Sequence, residues 1–166
     1  MKQKLSPQFA YLSKCVLLDW PEPQSKAWLQ RFSRALDKCS DPPLAVSKLM
    51  RWLLTDKNGV LQDADAQGKQ AIEQVASLYT RHLAGHHPHH SEWEAAFDFA
   101  RKAEEDAPDP RTDAAAATAV LAASVMAHPE DYAAAGEAVS EVLRWLDEAY
   151  SQTIADRLIQ FLEAVA

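Results

Sequence analysis

The chain has 166 residues, a formal net charge of −7 with a pI near 5.3, and 48% apolar residues including five tryptophans. That size fits one domain with a self-sufficient core, and that composition excludes global disorder. The acidic balance argues against nucleic acid as a partner, because phosphate binding demands clustered Lys and Arg.

The start, Met1-Lys2-Gln3-Lys4-Leu5-Ser6-Pro7, has no apolar run long enough for a signal peptide. The longest apolar runs, such as Cys15-Val16-Leu17-Leu18, fall far short of the roughly 20 residues of a membrane span, so a cytoplasmic location is expected. Ser6 and Pro7 open a first helix with a capping hydroxyl and a proline at the first helical position. Phe9, Leu12 and Val16 recur along it until Pro21 and Pro23 enforce an extended turn. Ser25 is then the expected cap of a second helix, with Trp28, Phe32, Ala35, Leu36 and Cys39 on one stripe. Asp41-Pro42 starts a third, carrying Leu49, Trp52 and Leu53, and Gly59 suits the left-handed position after it. A fourth begins between Asp63 and Gly68, places Ile72, Val75, Ala76, Tyr79 and Leu83 on one side, and breaks at Gly85 and Pro88.

Beyond that break the texture changes from large apolar residues to alanine. Ser91-Glu92-Trp93-Glu94 matches a capping box for the fifth helix, faced by Trp93, Phe97, Ala100 and Ala103 or Ala107. Asp109 or Thr112 caps a sixth, apolar nearly all round from Ala114 to Met126 and therefore expected to be central and buried. His128-Pro129-Glu130-Asp131 restarts the chain as a seventh helix, with Tyr132, Val139, Leu143 and Leu146 in its stripe. Ile154, Leu158, Leu162 and Val165 continue a stripe to the end, either in one long helix with the seventh or meeting it at Tyr150-Ser151. No stretch alternates as a strand. The reading is an all-α, single compact bundle of about seven or eight helices spanning residues 1–166. Its aromatic-rich half runs to about residue 84, and an Ala-rich, close-packed half covers about 91–166. Alanine has the lowest conformational cost in a helix and lets neighbouring helices approach closely.

His82, His86, His87, His89 and His90 form the one dense cluster of metal-ligand types. Neutral imidazole is a good borderline ligand, and His82 and His86 stand one helical turn apart. His128, with Glu92 or Glu94, would add donors only if the fold brings them near. The plainer reading is a solvated loop that takes up divalent metal adventitiously. Asp63-Ala64-Asp65-Ala66-Gln67-Gly68 imitates the front of a calcium loop, but Gln74 stands where the closing Glu belongs, so it reads as a helix entry. Glu104-Glu105-Asp106, Asp109 and Asp113 read as solvated acids rather than acid–base machinery. Cys15 and Cys39 lack metal or redox spacing and read as buried free thiols on helix faces. No nucleophile elbow, phosphate-binding glycine loop or zinc-protease helix occurs, which leans away from an enzyme and leaves no cofactor to expect. Trp20, in an acidic proline-flanked loop, and Trp93, in a first helical turn, either lock their segments onto the core or anchor a partner.

From Val75 onward the chain resembles uncharacterised alanine-rich helical bacterial proteins of mobile-element settings, some of them called immunity proteins. The matching elements are Leu78-Tyr79-Thr80-Arg81, Gly85, Glu92-Trp93, the region from Ala95 to Ala138, and Leu158-Ile159-Gln160-Phe161-Leu162. They cover a little over half of the chain, with Ala107-Pro108-Asp109-Pro110 interrupting the alanine repetition. The resemblance implies an inhibitor or regulator acting by protein–protein contact, and it carries over no catalytic residue. The expected function is thus protein binding, as monomer or homodimer, with Leu158 and Leu162 as an exposed dimer stripe in the second case. The alternative is a metal-binding protein or metal-dependent enzyme using the His82 to His90 tract.

Overall fold

The structure, a computed structural model, describes residues 5–166; the basic start Met1-Lys2-Gln3-Lys4 lies outside them. Eight α-helices follow in order: α1 (Pro7–Val16), α2 (Glu22–Lys38), α3 (Pro42–Thr55), α4 (Ala66–Leu83), α5 (His90–Glu105), α6 (Pro110–Ala127), α7 (Ala134–Leu143) and α8 (Glu148–Glu163). A single 3-10 turn, Val60–Gln62, joins α3 to α4, and no strand occurs among the described residues. Among the described residues no helix is long and apolar enough to cross a membrane.

Helix α6 is the axis of the bundle. Its buried residues are alanines plus Thr118, Val120 and Ser124, and α5 presents Trp93, Ala96, Ala100 and Ala103 to it. With methyl groups on both sides, α5 and α6 form the most extensive helix–helix contact among the described residues. Helices α4 and α7 flank α6. The aromatic half closes the other side. Trp28 stacks on Phe32 at 4.9 Å, and its indole N–H donates to the Ala155 carbonyl of α8 at 3.2 Å. Tyr79, wholly buried, donates its hydroxyl to the Ala122 carbonyl of α6 at 2.6 Å and meets Trp93 edge-on. One contiguous core joins both halves.

Four helix boundaries differ from the sequence expectation. Helix α2 starts at Glu22 rather than after Ser25, because Pro23 fits the first turn, where an N–H is not needed. The Ser25 hydroxyl donates to the Glu22 carbonyl inside that turn. Helix α5 is entered at His89, not Ser91: the Glu92 carboxylate reaches back to the His89 N–H at 2.9 Å. Residues 128–133 are turns rather than helix, since the Asp131 carboxylate takes the Ala133 N–H; Tyr132 is consequently exposed. The chain breaks at 144–147, because the Asp147 carboxylate accepts the Tyr150 N–H at 3.0 Å and caps α8 anew.

Two glycines exchange their expected roles. Gly85 takes the left-handed conformation, with φ of +85°, whereas Gly59 has φ of −104° and opens the 3-10 turn. Gly59 is needed for close approach: a Cβ there would lie 2.6 Å from the Tyr150 hydroxyl, which donates to Asp56. Leu158 and Leu162 are fully buried in the chain's own core, so they form no exposed dimer stripe. Cys15 is buried and Cys39, at the end of α2, half-buried; both are free thiols.

Candidate functional site

The histidine tract divides into two clusters and two free surface residues. After α4 ends at Leu83, the Ala84, Gly85 and His86 N–H groups fold back onto the carbonyls of Thr80, His82 and Arg81. The positive φ of Gly85 reverses the chain, and this sets His87, not His86, against His82. Their Nδ1 atoms are 3.3 Å apart, with the rings inclined at 62°. Burial first, then the neighbouring His87, lowers the His82 pKa from its ordinary value, while Asp41 opposes the shift. His86 and His89 are exposed.

The second cluster joins α5 to the end of α6. His90 Nε2 lies 3.0 Å from the Ala127 carbonyl and 3.6 Å from Glu94 Oε1, and His128 Nδ1 lies 3.6 Å from the same oxygen. Phe97 meets the His128 ring edge-on at 4.9 Å. Glu92 faces away, bonded to Arg81 at 2.6 and 3.4 Å, which holds its carboxyl below the usual carboxylate range. The fold thus brings Glu94 and His128 to His90 and leaves Glu92 out. No group of three or more His, Cys, Asp or Glu side chains converges as a metal-ligand set among the described residues.

The acids do not all stand free in solvent as expected. Glu104 is half-buried, and burial followed by the Asp113 carboxylate raises its pKa. Asp109 and Asp65 cap α6 and α4, the second at 2.7 Å from the Gly68 nitrogen, so the calcium-like segment is a helix entry.

The two tryptophans part company. Trp93 is only 3% exposed and packs on Tyr79, so burial removes it as a surface anchor. Trp20 is half-buried: its indole N–H donates to the Ser151 hydroxyl at 2.7 Å, and that hydroxyl donates to the Val16 carbonyl. Trp20 forms one wall of a groove of about 420 Å³ between the α1–α2 turn and the α7–α8 turn. Leu18, 62% exposed, stands at its rim with Leu143 and Leu146 opposite. Three carboxylates, Asp19, Asp147 and Glu148, line it against one cation, Arg144, which is paired with Glu141 at 2.9 Å. Asp19 holds φ of +66°, a left-handed conformation that Asp adopts in turns more readily than most non-glycine residues. The groove was hidden from sequence reasoning because its walls come from opposite ends of the chain. Its only local signal was an apolar Leu18 beside Asp19 and Trp20 in a turn.

Fold and surface together define an all-helical bundle with an acidic, apolar-floored groove and a paired-histidine corner. No protein-family model, curated protein or solved structure matches the chain.

Proposed function

We propose that this chain is a protein-binding module that grips a basic, partly apolar segment of a partner protein in the groove beside Leu18. The carrying observation is the pairing of a 62% exposed leucine with three carboxylates around one concave surface. An exposed apolar side chain beside charged groups becomes a desolvated anchor once a partner covers it, and the acids favour a cationic partner. The resemblance to immunity-type proteins supports a role in neutralising a toxin or regulating a partner inside a bacterial cell. Acting by contact, such a module needs no catalytic residues.

The test compares the immobilised chain with its Leu18→Asp variant against extract of the source cell, from about 0.05 to about 0.5 M salt. Leu18 makes little contact with the core, so the variant is expected to keep the parental circular dichroism. A basic protein retained by the parent, lost from the variant and weakened by salt supports the proposal. Retention indifferent to Leu18, or no retained protein, overturns it.

A further inference from the structure

The two facing imidazoles at the end of α4 stand apart from the groove, at the opposite end of α1, with their Nδ1 atoms within hydrogen-bond reach of each other. A tetrahedral zinc ion with Zn–N bonds of about 2.0–2.1 Å holds its imidazole nitrogens about 3.3–3.4 Å apart. An octahedral ion with the same bond lengths needs about 3.0 Å or less. The Nδ1 atoms of His82 and His87 are 3.3 Å apart, the edge of the tetrahedron. We propose that His82 and His87 chelate a tetrahedral, borderline divalent ion, zinc above all, through their Nδ1 atoms.

Two further observations carry the assignment. The pair is built rather than fortuitous, since Gly85, with its positive φ, and the three amides folded onto α4 place His87 over His82. Both rings line a cavity of about 500 Å³ between the starts of α1 and α3 and the end of α6, and Asp41 contributes a carboxylate to the same walls. That carboxylate, one oxygen of which caps α3 through the Leu44 N–H, gives the corner a negative field suited to a cation. Gln8, Ser47 and Met126 line the remaining space. With two protein nitrogens committed, the remaining donors would be water or a molecule bound in the cavity, one protein ligand fewer than a catalytic zinc ordinarily has.

The inference selects two of the tract's five histidines, which distinguishes it from loose uptake by a histidine-rich loop. His90 is engaged with the Ala127 carbonyl, His86 is exposed, and His89 is exposed at the N-terminus of α5. It is also independent of the groove: loss of partner binding on Leu18→Asp leaves it untouched.

The experiment uses the full chain without a tag, stripped by a chelator and titrated with Zn²⁺ alone. Calorimetry gives stoichiometry, and nitrogen-detected proton spectra of the imidazoles identify the ligating atoms. One equivalent is expected, with Nδ1 of His82 and His87 shifting together. His87→Ala, at an exposed position where folding is not at stake, is expected to weaken binding at least tenfold, and His82→Ala likewise. The combined replacement of His86 and His89 by Ala is expected to change it less than twofold. Equal weakening by the His86 and His89 replacements, more than one equivalent, or shifts at Nε2 atoms across the whole tract would mean an adventitious ion only and would overturn the assignment.

Discussion

Tyr79 ties the two textures of the chain together at a single residue. Its ring belongs to the aromatic half, while its hydroxyl reaches a carbonyl of the alanine helix α6. Burial raises its pKa well above the ordinary tyrosine value, so the phenol stays protonated and remains a donor. Tyr79→Phe removes the hydrogen bond with little change of shape, and is expected to cost about 1 kcal/mol in urea unfolding. Glu104 works in the opposite sense. Burial and Asp113 raise its folded pKa above the unfolded value, so the folded chain holds that proton more tightly. Its stabilising contribution is full below the unfolded pKa and is lost as pH rises through the raised folded value. Glu104→Gln is therefore expected to raise Tm at pH 7 by about 1–2 °C, discounted for solvent screening, with the gain vanishing towards pH 4. An equal gain at both pH values would contradict this assignment. Glu92 has the reverse sign: Arg81 depresses its pKa, and what it contributes at neutral pH is lost as pH falls through that depressed value.

At the scale of elements, the contact of α5 with α6 rests on side chains that end at Cβ. Ala119 of α6 is fully buried, so Ala119→Leu overpacks the core around that helix and is expected to cost about 1–3 kcal/mol in the same unfolding experiment. A neutral result would mean that the interface has room that the structure does not show. This element was legible in the sequence: Asp109-Pro110 marks its start, and an all-round apolar run admits only a buried place. The α7–α8 break was not. Residues 143–149 include no glycine or proline, and Asp147 looks like any acid in a helix until its carboxylate is seen on the Tyr150 N–H. Asp147→Ala is expected to destabilise the chain by about 1 kcal/mol through loss of that cap. The entry to α5 was misread for a related reason. A serine hydroxyl is the stronger local signal, yet Glu92, held by Arg81 from α4, selects the His89 N–H two residues earlier. A tertiary contact decided the boundary, and period and punctuation carry no trace of it.

Across the whole molecule, the core is filled by methyl groups on one side and stacked aromatics on the other, and the proposed functions lie at its surface. The histidine tract announced itself by composition, but its division into a His82–His87 pair and a His90–Glu94–His128 cluster depends on the turn at Gly85 and on where α6 ends. The groove left almost no mark, because Leu18 and Trp20 meet Leu143, Asp147 and Ser151 only through the packing of α1 on α7 and α8. Its three carboxylates are unremarkable one by one and acquire meaning only as a rim. Hydrogen exchange of the chain, alone and bound to the partner that the Leu18 comparison retains, tests that surface most directly. The expected result is protection confined to residues 17–22 and 143–151, with the outer faces of α2 and α5 unchanged. Protection on those outer faces, with both turns exchanging as in the free chain, would contradict it.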